Sequence, residues 1–316
     1  MNVGDSALAP RLDVLALGEA MIEFNQTRAD DPHTWLQGFG GDTSNMAIAA
    51  ARVGARVGYL TRVGNDAFGR RLIDLWTQEN VSTEAVAVDN EAPTGVYFVS
   101  HDASGHAFSY LRAGSAASRM SPWSLPLAAL RGTRVLHLSG ISQAISASAC
   151  DACFAAIAIA RAAGAQIAYD TNLRLKLWPV ARARAIILET LRMTDWALPG
   201  LDDARHLFGT EDPERIVAGC HALGSANVVL KLGAEGCLAS NGRRRERVPG
   251  RPVASVDATG AGDCFDGAFI ARITAGDDLF AAARFANAAA ALATTGYGAV
   301  APLPRGADVE RLLAAG

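Results

Sequence analysis

Ser255-Val256-Asp257-Ala258-Thr259-Gly260-Ala261-Gly262-Asp263-Cys264-Phe265-Asp266-Gly267-Ala268-Phe269 carries a polar glycine turn directly into an apolar helical pattern. Glycine lets a backbone approach a ligand closely, and the first amides of a helix point outward without partners inside it. With the macrodipole they form an anion site, suited to a phosphate that gains charge during transfer. Asp263 falls in the first turn, where its carboxylate can accept a proton from an attacking hydroxyl. Two plainer readings compete. The segment is also compatible with a simple glycine turn whose helix start Asp263 stabilises. A dinucleotide fingerprint fits worse, because Gly260-x-Gly262 is followed by Phe265 where a third Gly or Ala is needed. No Gly-Lys-Ser or Gly-Lys-Thr occurs, which excludes a Walker-type phosphate loop.

Upstream, short β-rich runs alternate with Ala-rich helical patterns. Residues 12–17, 57–61, 135–138, 166–169, 196–198 and 228–231 read as buried strands. Residues 43–52, 67–79, 146–163, 181–192 and 213–223 read as helices between them, and 261–274 and 279–294 as two helices nearly back to back. This alternation predicts an α/β fold with a mostly parallel central sheet covered by helices on both faces. One region departs from it: 94–100 and 107–112 alternate as strands about Asp102-Ala103-Ser104-Gly105, a hairpin signal. With 21–26 and 34–38 they predict a small separate sheet, built from about 19–38 and 90–113, that serves as a lid or a dimer surface.

The 316 residues are 50% hydrophobic and 19% charged with a net charge of −3, too apolar and too weakly charged for a disordered chain. The slightly acidic balance argues against nucleic acid as a partner. The longest purely apolar stretch, 153–160, falls far short of the roughly 18 residues of a membrane span. The opening MNVGDSALAPRLDV has an early acid and no basic-then-apolar pattern, so a cytoplasmic location without a signal peptide is expected. No repeat or low-complexity linker divides the chain, which predicts one domain over 1–316. Cys150, Cys153, Cys220, Cys237 and Cys264 are odd in number and sit in apolar surroundings, as packing residues do, and Cys150-x-x-Cys153 falls inside a helical pattern. The basic run 243–247 reads as a solvated hairpin face.

Asp257-Ala258-Thr259-Gly260-Ala261-Gly262-Asp263 resembles the C-terminal signature D-T-x-G-A-G-D of the ribokinase-like (PfkB) carbohydrate kinases. Gly38-Phe39-Gly40-Gly41-Asp42-Thr43-Ser44-Asn45, followed by a helix and Val63-Gly64-Asn65-Asp66-Ala67-Phe68-Gly69, resembles the family's N-terminal glycine signature. The resemblance covers nearly the whole chain in the expected order. It implies a ribokinase-like three-layer α/β/α domain with a small β-sheet lid, ATP and Mg²⁺ as cofactors, and a monovalent cation near the anion hole. It implies Asp263 as the catalytic base and Gly260, Ala261 and Gly262 as the anion hole. Gly41, Asp42 and Asn45 would receive substrate hydroxyls, although Asp42 reads equally as a helix cap. Lys231, Gly233, Ala234, Glu235 and Gly236 would form a nucleotide loop, although the stretch reads equally as a glycine hairpin. Asn172 would reach the phosphates, and Asn287 would border the adenine. The sequence departs from the family twice. Its Asn-x-x-Glu is here Gly200-Leu201-Asp202-Asp203, where Asp203 keeps a carboxylate for the metal but the Asn amide is absent. Ala258 replaces the usual Thr, at little cost to a hole made of backbone amides.

Within the family, residues 38–45, 138–146 (LSGISQAIS), 169–179 (YDTNLRLKLWP) and 201–209 (LDDARHLFG) look most like the 2-keto-3-deoxygluconate kinase subgroup. That resemblance implies ATP-dependent phosphorylation of 2-dehydro-3-deoxy-D-gluconate on its terminal 6-hydroxyl. On a strand, Tyr110 and Arg112 project to one face, and Asp170, Asn172 and Arg174 show the same spacing beyond another strand. An arginine holds a carboxylate in a planar charge-assisted pair, about 1.5–3 kcal/mol for each well-formed bond. By themselves Arg112 reads equally as an exposed strand residue, Arg174 as a loop partner of Asp170, and Tyr97 and Tyr110 as cross-strand packing. The resemblance sets Tyr97, Tyr110, Arg112 and Arg174 against the sugar acid. A kinase for fructose or another keto-deoxy acid, and a non-catalytic sugar or nucleotide sensor, are the alternatives. The partners expected are a small sugar acid, ATP and a second copy of the chain through the lid, with no membrane.

Overall fold

The computed structural model describes residues 11–26, 31, 33–102 and 105–315; the hairpin turn expected at 103–104, part of the expected lid, and the N-terminal stretch 1–10 lie outside them. The described chain runs through β1 (Leu12–Leu17), β2 (Met21–Gln26), β3 (Trp35–Gly40), α1 (Asp42–Arg52), β4 (Val57–Gly64), α2 (Ala67–Gln78), β5 (Val81–Ser82) and β6 (Val86–Asp89). It continues through β7 (Val96–Asp102), β8 (Gly105–Leu111), α3 (Leu127–Arg131), β9 (Thr133–Ser139), α4 (Gly140–Ala144), α5 (Ala147–Ala162) and β10 (Gln166–Asp170). The remainder is α6 (Val180–Leu191), β11 (Trp196–Ala197), α7 (Leu201–Phe208), α8 (Pro213–Leu223), β12 (Asn227–Lys231), β13 (Gly236–Ser240), β14 (Arg245–Pro249), α9 (Ala261–Ala275), α10 (Leu279–Ala293) and α11 (Gly306–Ala314).

The expected central sheet forms in the order β14-β13-β12-β11-β10-β9-β1-β4-β5, with β6 also on β4. Every neighbouring pair from β12 to β5 is parallel, and only β13 and β14 turn back antiparallel at one edge. Alternation along a single strand builds two cores. Val14 and Ala16 face α1, α2, α9 and α10, whereas Leu15 and Leu17 face α5, α6, α7 and α8. All four are fully buried, and each large side chain contributes about 1.5–3 kcal/mol. The expected strands and helices are present with ends moved by one to three residues. β4 runs on to Gly64 because Arg62, polar in an apolar run, is held by Asp89 of β6 at 2.9 Å. β14 is hidden in the basic run: Arg245 and Arg247 pair with the exposed Glu214 and Glu235. All five cysteines are free and buried, as expected of packing residues. No helix among the described residues is long and apolar enough to cross a membrane.

The small second sheet also forms, in the order β3-β2-β7-β8. β2 and β7 pair in parallel, and the outer pairs are antiparallel, with Tyr97 opposite Tyr110. β3 extends to Gly40, past the expected end at residue 38, and Gly40 has to be glycine: a Cβ there would lie 2.4 Å from the Tyr97 hydroxyl.

The sheet fixes where chemistry can occur. The chain leaves β1 first for β4 on one side and later returns to β9 on the other, so the strand order reverses between β1 and β9. Ligands of open α/β sheets bind in the crevice beyond the carboxyl ends of strands at such a point. Ser139, Asp170 and Lys231 end β9, β10 and β12 there, and α1 and α9 begin there. These two helices cross in backbone contact at Gly267, where a Cβ would meet the Met46 carbonyl at 2.4 Å and the Ala50 amide at 2.9 Å. Gly267→Ala therefore forces the helices apart and should cost about 1–3 kcal/mol, seen as a lower urea midpoint with an unchanged m-value; an unaltered midpoint would refute the close crossing.

Candidate active site

The turn before α9 is held by Asp257. Its Oδ1 accepts from the Thr259 amide at 2.9 Å and hydroxyl at 2.6 Å, and its Oδ2 accepts from the Gly298 amide at 2.9 Å. Gly260 then takes a left-handed conformation, φ 75°, against Ala299. The Ala261 amide is used inside the turn, donating to the Ala258 carbonyl at 3.1 Å, and the first bond of the helix runs from Cys264 to Gly260 at 2.8 Å. The amides of Gly262 and Asp263 are left for a ligand, as the opening of a helix requires. Of the residues expected to form the anion hole, Ala261 thus has its amide engaged in the turn, while Gly262 is exposed at the lip of the cleft.

Asp263 is oriented from α1. Asn45 Nδ2 donates to its Oδ2 at 2.8 Å. Burial pushes the Asp263 carboxyl up to about 7; the charges of Asp42 and Asp170 add to this, and the Asn45 bond and Lys231 oppose it. A base titrating near neutrality suits proton transfer from a hydroxyl. Asp42, first in α1 after Gly41 (φ 119°), accepts from Ser139 Oγ at 2.5 Å and Asn172 Nδ2 at 2.8 Å. Burial raises the Asp42 carboxyl as well.

Beneath the first turn of α9, Lys231 Nζ lies 2.9 Å from both oxygens of Asp266 and 3.1 Å from Asp170 Oδ2. Burial would raise Asp170, but the ammonium of Lys231 holds it below its ordinary value; burial leaves Asp266 raised. His137 on β9 is buried with neither ring nitrogen hydrogen-bonded, and burial holds it neutral, down to about 3.

The lid supplies the opposite wall. Tyr97 is buried and donates to Glu23, while Tyr110, 42% exposed, stacks on it at 5.7 Å. Arg112 is in charge contact with the buried Glu19, yet its Nε and Nη2 have no aligned acceptor. Ser115 donates to the other Glu19 oxygen at 2.5 Å.

Two expectations from spacing change. β10 ends at Asp170 and Asn172 adopts φ 25°, so strand alternation does not carry through to Arg174. Asn172 turns back to Asp42, and Arg174 stands on the rim, 55% exposed and 3.9 Å from Asp203. The alternative pairing of Arg174 with Asp170 does not form, since Lys231 takes that carboxylate. Burial pushes Asp203 up to about 6, and its Oδ2 accepts from the Leu173 amide at 3.0 Å. Among the described residues no group of three or more His, Cys, Asp or Glu is placed to hold a metal. Asp203 is thus a single carboxylate, enough for Mg²⁺ that arrives mostly hydrated on phosphates. Gly233, Ala234 and Glu235 form a 3₁₀ turn between β12 and β13, closed by Gly236 at φ 94°. Asn287 lies inside, its amide donating to the carbonyls of Val248 at 3.1 Å and Pro249 at 3.3 Å. Sequence reasoning missed Glu19, Glu23, Ser139 and Asp266. Of these, Asp266 left a trace, as a charge one turn after Asp263 in an otherwise apolar helix.

The sequence matches the model of the pfkB family of carbohydrate kinases across residues 11–305. It is 36% identical over 314 residues to a 2-dehydro-3-deoxygluconokinase of Thermoproteus tenax, covering 96% of this chain and 95% of the relative. It is 33% identical over 316 residues to a fructokinase-2 of Zea mays, covering 95% and 94%. A ribokinase II candidate from Escherichia coli, solved in complex with ATP and Mg²⁺, shares the fold with a TM-score of 0.89 at 28% identity, covering 96% of this chain and all of that one.

The raised Asp263 carboxyl carries a stability signature. Between its ordinary value of 3.8 and about 7 the native state holds a proton that the unfolded chain has released. Its contribution is complete below the unfolded value, falls with rising pH and is lost above about 7. Asp263→Asn should therefore raise Tm at pH 8 and do so less at pH 5; a variant less stable than wild type at pH 8 would contradict this environment.

Proposed function

This chain belongs to the pfkB family of carbohydrate kinases, and we propose that its own reaction is the ATP-dependent phosphorylation of 2-dehydro-3-deoxy-D-gluconate on the terminal 6-hydroxyl. The observation that carries the chemistry is Asp263, half-buried, its carboxyl pushed up to about 7 and aimed by Asn45 beside the two free amides of α9. In this reading the sugar oxygen attacks the γ-phosphorus and its proton passes to Asp263 Oδ. The bond from the γ-phosphorus to the β–γ bridging oxygen breaks, and ADP leaves. Gly262 and Asp263 donate their amides to the transferring group, a stabilisation that grows with its charge. Mg²⁺, when bound, would neutralise phosphate charge, with Asp203 the carboxylate offered to it. Asp42, held by Ser139 and Asn172, accepts hydrogen bonds from sugar hydroxyls. The lid closes over the sugar and excludes water.

The acidic substrate is supported by Arg112. Its guanidinium, 11% exposed, already lies against the Glu19 carboxylate, so a substrate carboxylate would share that cation or take the partner's place. Arg174 on the rim supplies a second cation. The same reading pairs two copies through their lids, where Leu36, Phe108 and Tyr110 are partly exposed. Light scattering would report that mass. The similarity to a plant fructokinase makes fructose the competing substrate.

A panel of keto-deoxy sugar acids and neutral ketoses with coupled ADP detection decides between them. The sugar acid should win in kcat/KM, and Arg174→Gln, exposed on the rim, should raise its KM about tenfold or more, the loss of one charge-assisted bond, while leaving a neutral sugar almost unaffected. Arg112→Gln also leaves the buried Glu19 unpaired, so it should raise KM for both sugars, and more for the acid. A KM for the acid that stays at the wild-type value in both variants would remove the carboxylate reading. Asp263→Asn should lower kcat at least ~10²-fold, the lower end for a general base.

A further inference from the structure

Lys231, Asp170 and Asp266 form a charge cluster that the reaction as written does not use. Their side chains are 13%, 8% and 1% exposed. Asp266 lies one turn below Asp263 on α9, on the same face of the helix. The ammonium reaches that turn too: a Cβ placed on Gly262 would lie 3.8 Å from Nζ. A buried ion cluster contributes little more stability than apolar side chains of equal volume, so holding β12 to α9 does not by itself call for one.

We propose that Lys231 is a positioning residue for phosphoryl transfer: locked between Asp170 and Asp266, its buried ammonium pins the first turn of α9 and sets a fixed positive charge behind the Gly262 and Asp263 amides. The inference rests on Asp263 being the base. Its necessity comes from the crowd of acids. Facing Asp263 are Asp42 and Asn45 from α1, Asp170 from β10, Lys231 from β12, Tyr97 from the lid and, on its own helix, Asp266. Without the ammonium the charged groups that face Asp263 are carboxylates, and the cation of Arg174 stands out on the rim. The base responds to the same field: Lys231 lowers the Asp263 carboxyl, and the neighbouring carboxylates raise it.

The test uses the intact protein with Lys231→Met, Lys231→Arg and the double variant Lys231→Met/Asp266→Asn, following Tm, KM for ATP and kcat against pH. Lys231→Met should lose ~10²-fold in kcat, the scale of one lost oxyanion donor, and the acid limb of its profile should move up by roughly one pH unit. Lys231→Arg should recover part of both. The double variant leaves fewer unpaired carboxylates, and its new amide can donate to Asp170, so Tm should return while kcat stays low. Recovery of kcat together with Tm would make Lys231 purely structural and overturn the proposal. A raised KM for ATP at unchanged kcat would make it a nucleotide contact and overturn it equally. Asp263→Asn separates the two levels: wild-type turnover there would remove the base on which the proposal rests, whatever the Lys231 series shows.

Discussion

The 2.8 Å hydrogen bond from Asn45 to Asp263 joins the first turns of two helices that are far apart in sequence, and it exists because those helices touch backbone to backbone. Gly267 permits the contact, since any side chain there would strike the carbonyl of Met46. Once α1 and α9 are that close, their amino ends open on the same crevice beyond β1 and β9. Both begin at a glycine with positive φ, Gly41 and Gly260, which turns the chain sharply and leaves the following amides facing outward. One helix aims the Asp263 carboxyl and the other carries it. The placement of Asp263, of the open amides of α9 and of Asp42 thus follows from a single packing distance.

That convergence also concentrates negative charge. Asp42, Asp170, Asp263 and Asp266 lie within one cleft, and burial acts on each of them against different partners. Asp170 stays ionised because Lys231 faces it, whereas the others are pushed toward protonation. Neighbouring carboxyls whose pKa values are driven apart mark an acid–base division of labour. A site with all four ionised would repel ATP. Partial protonation and one embedded ammonium relieve the mutual repulsion of these carboxyls.

Glu19 is one tie between the lid and the body, beside the edge contact of Phe24 with Phe68. Glu19, in the crossover from β1 to β2, contacts Arg112 and Ser115 where the chain returns from β8. Its carbonyl would meet a Cβ on Gly41 at 2.5 Å, and its carboxylate would meet one on Gly95 at 3.0 Å. Every crossing between the two sheets passes this residue. Arg112, the arginine proposed to face the substrate, is carried at that junction.

The fold was legible because its signals are local. Alternation in residues 12–17 demands helices on both faces, and the Gly260–Asp263 turn announces an outward-facing helix start whatever surrounds it. The lid strands were equally plain, apart from Phe39 and Gly40, which look like loop until Phe39 is known to face the main core and Gly40 to lie under Tyr97. Charged partnerships were not legible. Lys231 reads as part of a nucleotide loop but joins Asp266 and Asp170; Arg174 suggests Asp170 but reaches Asp203; Arg112 suggests a substrate but already faces Glu19. By itself the sequence determined which segments become strands, helices and turns, since backbone preference and burial act between neighbours in the chain. Only the tertiary structure decided which acid each cation meets and how far each carboxyl is displaced, because those depend on distances and desolvation set by elements that the chain keeps far apart.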